Sequence, residues 1–268
     1  GNWRWLDREQ RLAKEAGLAI IPWLSLKSWS DLIGGNRLEL AKEWYGTDIR
    51  RGENQDGTPG APLVYDDSVI SFGAAYTCDY IKRYGDQALL RVKWADGNTR
   101  PVVCLGVESA WVGSFDNETN QRFRTWLRER YTTIAAVNQA WGTQLAAFAD
   151  IDPRNKVIFD YAQAPKGKTA HPQPVEDHVE FRSQTVSTAL GAMGDRVRET
   201  YPDVLLLAEI PYQYGSVHPH AQGYRITYAA NPSSCSYADI VMFRNTGPLN
   251  QAEADMLRRT RDSTGQAF

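Results

Sequence analysis

The chain has 268 residues and a formal net charge of −2 at pH 7, with 42% hydrophobic and 23% charged residues, which is typical of a globular protein. This charge balance gives no reason to predict nucleic acid or an anionic membrane as a partner, and no apolar run approaches the ~20 residues of a membrane span. The three cysteines, Cys78, Cys104 and Cys235, lie far apart without metal-ligand spacing. We therefore interpret them as packing residues and not as a disulfide framework. The sequence has no P-loop or dinucleotide-binding fingerprint, and we predict no cofactor.

The first quarter of the chain predicts half of a βα repeat followed by a long loop. A helix is expected over 7–16, with an inward face made of Trp5, Leu12 and Ala16. The apolar run 18–24 predicts a buried strand. Residues 25–65 look irregular, and their aromatic side chains favour an ordered lid or cleft wall over disorder.

The next segment predicts a helix and then a buried strand that ends at a carboxylate. Asp66 is a suitable N-cap for a helix that ends near Gly85 and buries a stripe formed by Ile70, Ala74, Cys78 and Ile81. Asp96-Gly97 is typical of a hairpin turn. The apolar run 101–107 then leads directly to Glu108.

The remaining chain alternates helices with further apolar runs. Asp116 predicts the start of a helix that buries Phe123, Trp126, Leu127 and Tyr131, and a short helix ends at Gly142. The longest amphipathic helix is expected over 176–201, with Val179, Val186, Leu190, Met193 and Val197 inward. Strands are predicted over 203–209, which ends at Glu209, and 238–243, with a short strand over 157–159 and a last helix from Asn250.

This order of helix, apolar strand and long loop predicts a parallel α/β fold. A (β/α)8 TIM barrel is favoured over a doubly wound sheet, because the chain has no Gly-rich phosphate-binding turn. Four strands are predicted where a closed barrel has eight. We therefore expect residues 1–268 to form a single barrel catalytic domain that contains only the central βα units and is truncated at both ends.

Two glutamates at predicted strand exits are the candidate catalytic residues. Glu108 and Glu209 could form the carboxylate pair of a glycoside hydrolase, in which one protonates the leaving oxygen and the other attacks the sugar or activates water. Aromatic residues near predicted strand ends, namely Trp23, Trp111 and Tyr212, are candidate substrate-binding walls. The expected partner is an oligosaccharide or glycoside. A competing hypothesis is a metal-dependent hydrolase that uses His218 and His220.

The segments 123–127, 131–134 and 137–143, read as FRTWL, YTTI and VNQAWGT, resemble the β-galactosidases of glycoside hydrolase family 42. The resemblance implies that Glu108 is the general acid/base at the end of the fourth barrel strand. It also implies that Glu209 lies in the fifth strand and that 239–243 is the sixth. That strand lacks the family's usual D-x-Y-P ending, Phe243-Arg244-Asn245 stands there instead, and Asn245 is a candidate substrate ligand.

Two departures from the family keep an alternative open. The family has Asn before its acid/base, where this chain has Val107, and its nucleophile belongs to a seventh strand that would lie outside this sequence. We therefore expect a fragment of a retaining β-glycosidase of the β-galactosidase type, with Glu209 as cleft wall or as nucleophile. The alternative is a barrel that binds carbohydrate without hydrolysing it.

Overall fold

The computed structural model describes residues 3–25, 37–106, 114–161, 171–211 and 237–244. Its α-helices are α1 (Arg4–Glu15), α2 (Arg37–Tyr45), α3 (Asp67–Tyr84), α4 (Asn117–Tyr131), α5 (Ile134–Trp141) and α6 (Gln173–Thr200). Its strands are β1 (Trp23–Ser25), β2 (Arg51–Glu53), β3 (Pro59–Pro62), β4 (Arg91–Lys93), β5 (Thr99–Gly106), β6 (Leu205–Pro211) and β7 (Ile240–Arg244). A single 3-10 turn covers Phe148–Asp150.

The main sheet is parallel and follows the order of the chain. Its strands run β1-β5-β6-β7, and each neighbouring pair is parallel. Helix α3 connects β1 to β5, and α4, α5 and α6 connect β5 to β6. Neighbouring parallel strands that follow chain order are the arrangement of a barrel wall, whereas a doubly wound sheet reverses its order at a switch point.

The two faces of the main sheet are packed differently. Alternate residues of β5 and β6, such as Val103 and Leu206, belong to the core cluster that contains the buried residues of α3 and α6. The intervening residues, such as Cys104 and Leu207, form a second cluster. Within the described part of the chain, this second cluster contains no helical residue. The helices therefore cover one face of the sheet, as they do on the outside of a β/α barrel.

The two helices that cover the sheet agree with the sequence prediction. Asp66 caps α3 by accepting a hydrogen bond from the backbone N–H of Ser68. Ile70, Ala74 and Ile81 are buried and Cys78 is half-buried. In α6 the five predicted inward residues are all buried, because their spacing keeps them on one face of a 3.6-residue helix.

The predicted inward face of α1 is wrong at Leu12 and Ala16, and the side chain of its third residue, Trp5, lies outside the described part of the chain. Leu12 is 46% exposed and Ala16 is also exposed, whereas Gln10 and Ala13 are buried. The helix begins three residues earlier than predicted, and it turns its Gln10 side toward α3, where the Gln10 amide donates to the hydroxyl of Tyr80. The hydroxyl from α3 therefore satisfies the buried amide nitrogen of Gln10.

Three further predictions about local structure need correction. The strand expected over 18–24 is limited to β1 and one bridge between Ile20 and Leu89, and Leu18 is 64% exposed. The region 25–65 was expected to be irregular, but it contains α2 and the β2–β3 hairpin. Residues 157–159 form a turn in place of a strand, because the Asn155 side chain and carbonyl accept backbone N–H groups there. The helix predicted from Asn250 lies outside the described residues.

The predicted hairpin turn at Asp96-Gly97 is confirmed. Gly97 has φ +84°, a left-handed conformation that favours glycine, and the turn joins β4 to the first half of β5. The Asp96 carboxylate accepts from the backbone N–H of Asn98. Strand β4 therefore pairs with the first residues of β5, which precede those that pair with β6 and β1.

Candidate functional site

The carboxyl ends of the four parallel strands lie along one edge of the sheet. Ser25 at the end of β1 is paired with Gly106 at the end of β5, and Pro211 of β6 is paired with Arg244 of β7. Parallel α/β folds place their binding and catalytic residues at this edge, because the loops after the strands converge there. Glu108 follows Gly106 by two residues in the sequence.

Four of the six predicted site residues lie outside the described residues. Glu108 and Trp111 belong to the segment 107–113, which follows β5. Tyr212 comes directly after Pro211, and Asn245 directly after Arg244. All four therefore come after strands whose carboxyl ends share the same edge of the sheet.

The other two predicted residues lie within strands and do not follow them. Trp23 is the first residue of β1 and is paired with Cys104. Glu209 lies inside β6, where its backbone is paired with Met242. The sequence predicted that β6 ends at this charged residue. The strand continues to Pro211 because β7 supplies pairing partners as far as Arg244.

The segment that follows 107–113 is held by a buried serine and a buried aspartate. Ser114 is 6% exposed and Asp116 is 9% exposed. The Ser114 hydroxyl donates to Asp116 Oδ2 and accepts the backbone N–H of Glu53 at 2.8 Å. Asp116 Oδ1 accepts the backbone N–H groups of Glu118 and Thr119, which makes it the N-cap of α4 as predicted.

The charge of Asp116 is stabilised by these hydrogen bonds. Burial acts to raise the pKa of this carboxyl, but hydrogen bonds from Ser114, Thr119 and the first turn of α4 outweigh it and lower the pKa. The anionic form also interacts favourably with the N-terminal end of the helix dipole. Asp116 is therefore a charged anchor for the start of α4.

The β2–β3 hairpin packs directly against the same segment. The backbone N–H of Phe115 donates to the Glu53 carbonyl at 2.9 Å. A Cβ on Gly52 would lie 2.3 Å from Ser114 Oγ, so only glycine permits this approach. Further out, Arg50 pairs with Glu118 at 2.8 Å.

The segment that carries the family resemblance builds a separate aromatic core. Phe123, Leu127, Val137 and Trp141 are buried together in one cluster on α4 and α5. The Tyr131 hydroxyl and Trp141 Nε1 both donate to Asp177 Oδ2 at 2.7 Å. Burial, followed by the hydrogen bond to Asp177, raises the pKa of Tyr131 to about 12. These motif residues therefore fold the connection between β5 and β6.

Other motif residues have equally local structural roles. Arg124 Nε donates to the Ile151 carbonyl at 2.8 Å. The Asn138 side chain donates to the carbonyl of Leu145 and accepts its backbone N–H. Gly142 ends α5 at φ +66°, as the sequence predicted. The motif therefore specifies a compact turn after α5.

The sequence analysis did not identify Asp177 or His178 as buried polar residues. Both are 0% exposed, and His178 Nδ1 lies 2.6 Å from the Tyr161 hydroxyl. Burial, and then the positive charge of Arg182, lower the pKa of His178 well below its ordinary value. The sequence places both residues in the first turns of α6 and gives no other signal of their burial. They are buried because that part of α6 packs against α4 and α5.

Neither a metal cluster nor a membrane-spanning helix is present in the described part of the chain. The described ranges contain no group of three or more His, Cys, Asp or Glu side chains arranged to bind a metal. His218 and His220, the basis of the metal hypothesis, lie outside those ranges. None of the described helices is both long enough and apolar enough to cross a membrane.

Comparison with a known protein family confirms the resemblance. The sequence model of glycoside hydrolase family 42, described as beta-galactosidase, matches residues 106–223. The match begins at the last residue of β5, includes Glu108, and continues through α4, α5, α6 and β6.

Comparison with solved structures identifies glycoside hydrolases. The catalytic domain of beta-amylase from Paenibacillus polymyxa matches with a TM-score of 0.56 at 15% identity over 99% of this chain and 72% of that chain. Beta-galactosidase from Bacillus circulans sp. alkalophilus matches with a TM-score of 0.52 at 14% identity over 97% and 35%. Beta-galactosidase from the psychrophilic Marinomonas ef1 matches with a TM-score of 0.50 at 14% identity over 91% and 33%.

These comparisons support the fold class that the sequence predicted. The structural neighbours are TIM-barrel glycoside hydrolases, and the four parallel strands with helices on one face correspond to part of such a barrel. The chain spans about a third of the length of the two β-galactosidases that it matches.

Proposed function

We propose that this chain is the central part of the catalytic barrel of a retaining β-glycosidase that acts on β-galactoside-like bonds, with Glu108 as general acid/base. The observation that carries the proposal is the position of Glu108 in the sequence. It follows by two residues the carboxyl end of β5, an inner strand of the parallel sheet. The family match also begins at this strand end.

The chemistry assigned to Glu108 has two stages. Its carboxylic acid protonates the glycosidic oxygen as the bond to the leaving group breaks, and its carboxylate then removes a proton from the water that releases the sugar. A second carboxylate, ~5–5.5 Å away, is needed as nucleophile for retention.

Glu209 is proposed as a cleft-lining residue rather than this nucleophile. Strand β6 is the immediate neighbour of β5, which agrees with the alignment of Glu209 to the family's fifth strand. The nucleophile would then come from a later strand outside this sequence. Trp23, Trp111, Tyr212 and Asn245 are proposed to contact the sugar, because Trp23 lies in a strand of this sheet and the other three follow strands of it in the sequence.

The Glu108→Gln variant, made in the full-length protein, tests the assigned role. We expect a loss of about 10²–10⁴-fold in kcat/KM on lactose, because the amide cannot protonate the leaving oxygen. The loss should be much smaller on 2,4-dinitrophenyl β-galactoside, whose leaving group needs little protonation. Steady-state kinetics on both substrates measure this ratio, and proton NMR of the first-formed anomer tests retention.

Two further variants make the result specific. Glu129→Gln removes an exposed carboxylate of α4 and should retain wild-type kinetics. Glu209→Gln should mainly raise KM if Glu209 lines the cleft, and should abolish turnover of both substrates if it is the nucleophile. Equal losses on both substrates for Glu108→Gln would contradict the acid role. If the wild-type protein binds the sugar but hydrolyses neither substrate, the carbohydrate-binding alternative is favoured.

A further inference from the structure

Helix α6 contributes to two separate hydrophobic cores. In its second half, Leu190 and Met193 are buried together with residues of α3 and of the sheet. In its first third, Val175, Val179 and Phe181 are buried in the aromatic core with residues of α4, of α5 and of the segment that follows α5. The connection between β5 and β6 therefore has a core of its own, which is joined to the sheet through α6.

His178 is enclosed by this aromatic core and is 0% exposed. The rings of Phe123 and Phe159 make T-shaped contacts with the imidazole, at centroid distances of 4.8 and 6.0 Å. Its Nδ1 atom lies 2.6 Å from the Tyr161 hydroxyl, whereas its Nε2 atom has no hydrogen-bond partner within the described residues. A protonated imidazole has two N–H groups to satisfy, so these surroundings favour the neutral form.

The charges around His178 also oppose its protonation. Burial lowers the pKa of the imidazole well below its ordinary value, and the positive charge of Arg182 lowers it further. The carboxylates of the same helix bond to other groups. Asp177 accepts hydrogen bonds from side chains of α4 and α5, and Glu180 pairs with Arg130 at 2.8 Å. A proton on His178 in the closed core therefore meets repulsion without a compensating carboxylate.

We propose that His178 is a pH-sensitive latch of the aromatic core, so that mild acid promotes a local opening of α4 and α5 while the core between α3, α6 and the sheet stays closed. Proteins open in cooperative units that differ in free energy. When the aromatic core opens, the imidazole reaches water and regains an ordinary pKa near 6.5. Falling pH then favours the opened form, because only that form binds the proton. The inference is independent of the proposed function.

Other titrating groups of this core act in a different range or in the opposite direction. Burial acts to raise the pKa of Asp116 and Asp152, but hydrogen bonds to each carboxylate outweigh it and lower the pKa. These two groups therefore keep their charge between pH 7.5 and 5.5. Burial, and then Asp177, raise the pKa of Glu176, so protonation of Glu176 opposes opening as the pH falls. A loss of protection in mild acid is thus the signature of an imidazole.

Hydrogen exchange measured by mass spectrometry tests the latch in the full-length protein at pH 7.5, 6.5 and 5.5. Protection factors, which compare each rate with the intrinsic rate at the same pH, remove the direct effect of pH on exchange. We expect the slowest amides of α4 and α5 to lose about 10-fold in protection between pH 7.5 and 5.5. At each pH the slowest amides of α3 should remain more protected, because the opening is local.

Variants of His178 assign the effect to this imidazole. His178→Gln should make the protection of α4 and α5 independent of pH over this range. His178→Phe also removes the titrating group and fills the aromatic surroundings with an apolar ring, so it replaces the glutamine variant if that variant does not fold. Val137→Ala is the matched control, because it truncates a fully buried side chain of the same core. It should lower protection at every pH and keep the pH dependence of the wild type.

Three outcomes would overturn the latch. Protection of α4 and α5 that stays constant from pH 7.5 to 5.5 would show that opening is not linked to a proton. Amides of α4 and α5 that are as protected as the slowest amides of α3 would show that the whole chain opens together. A pH dependence that persists in the His178 variants would assign the proton to another group, such as His171.

Discussion

His178 is an imidazole enclosed by aromatic rings on the inner side of α6. The rings of Phe123, Phe115 and Phe181 have centroids 4.8, 5.5 and 6.1 Å from it, and its Nδ1 is bonded to the Tyr161 hydroxyl. Arg182, one turn along the helix, adds a positive charge nearby. This site disfavours the imidazolium, so the folded chain holds His178 neutral.

A neutral buried histidine predicts a loss of stability in mild acid. The pKa of His178 in the folded chain is depressed, and in the unfolded chain it is about 6.5. Below pH ~6.5 the unfolded chain therefore binds a proton that the folded chain does not. The free energy of unfolding should fall by up to about 1.4 kcal/mol per pH unit from this residue.

Urea unfolding at pH 7.5, 6.5 and 5.5 measures this slope. His178→Gln should flatten it, whatever its cost at pH 7.5. Glu176 acts in the opposite direction, because burial and then Asp177 raise its pKa. A slope that is identical in the wild type and in His178→Gln would show that His178 accepts a proton in the folded chain.

At the scale of elements, α6 approaches the sheet closely at one glycine and not at another. A Cβ on Gly194 would lie 2.3 Å from Leu206 Cδ1, in the fully buried core between α6 and β6. A Cβ on Gly191 would meet only Tyr237 Cβ, at an ordinary 3.5 Å. Both glycines are inside the same helix, so they differ mainly in this contact.

Alanine substitutions at these two glycines should have opposite effects on stability. Gly191→Ala should stabilise the chain by about 0.5–1 kcal/mol, because alanine is the better helix former. Gly194→Ala gains the same propensity but forces Leu206 out of place, and overpacking of this kind costs about 1–3 kcal/mol. Chemical denaturation of both variants checks the order, which would be contradicted if Gly194→Ala were the more stable.

At the scale of the whole molecule, the described sheet has two outer strands. Within the described residues, the main-sheet pairing of β1 is with β5, and that of β7 is with β6. An unprotected parallel edge offers backbone groups to another chain. The β4 strand protects only the first half of β5, through the pairs from Arg91 to Lys93.

The chain of residues 1–268, expressed alone, is therefore expected to self-associate. Sedimentation velocity over a range of concentrations should show species larger than a monomer, and its thermal melt should be broad. A longer polypeptide that supplies further barrel strands should be monomeric or form defined oligomers under the same conditions. A soluble monomer of 1–268 with a sharp cooperative melt would contradict this expectation.

The prediction from sequence succeeded at helix faces, helix caps and tight turns, which residue type and local spacing specify. Hydrophobic periodicity located the inward faces of α3 and α6, and the capping aspartates Asp66 and Asp116 located the starts of α3 and α4. The turn residues at Asp96-Gly97 and Gly142 were identified for the same reason. The prediction failed at Leu12, where the inward face of α1 depended on its contact with α3, and at 157–159, where hydrogen bonds to Asn155 form a turn in place of a strand.

The sequence by itself determined the α/β class, the family resemblance and Glu108 as the candidate acid, because these depend on residue type and order along the chain. The tertiary structure decided what distant residues do for one another. It turned Gln10 of α1 toward α3, extended β6 past Glu209 by pairing it with β7, and buried Asp177 beneath Tyr131 and Trp141. It also brought Glu53 to Ser114 across 61 residues of sequence. Contacts of this kind depend on packing between elements, which no local pattern specifies.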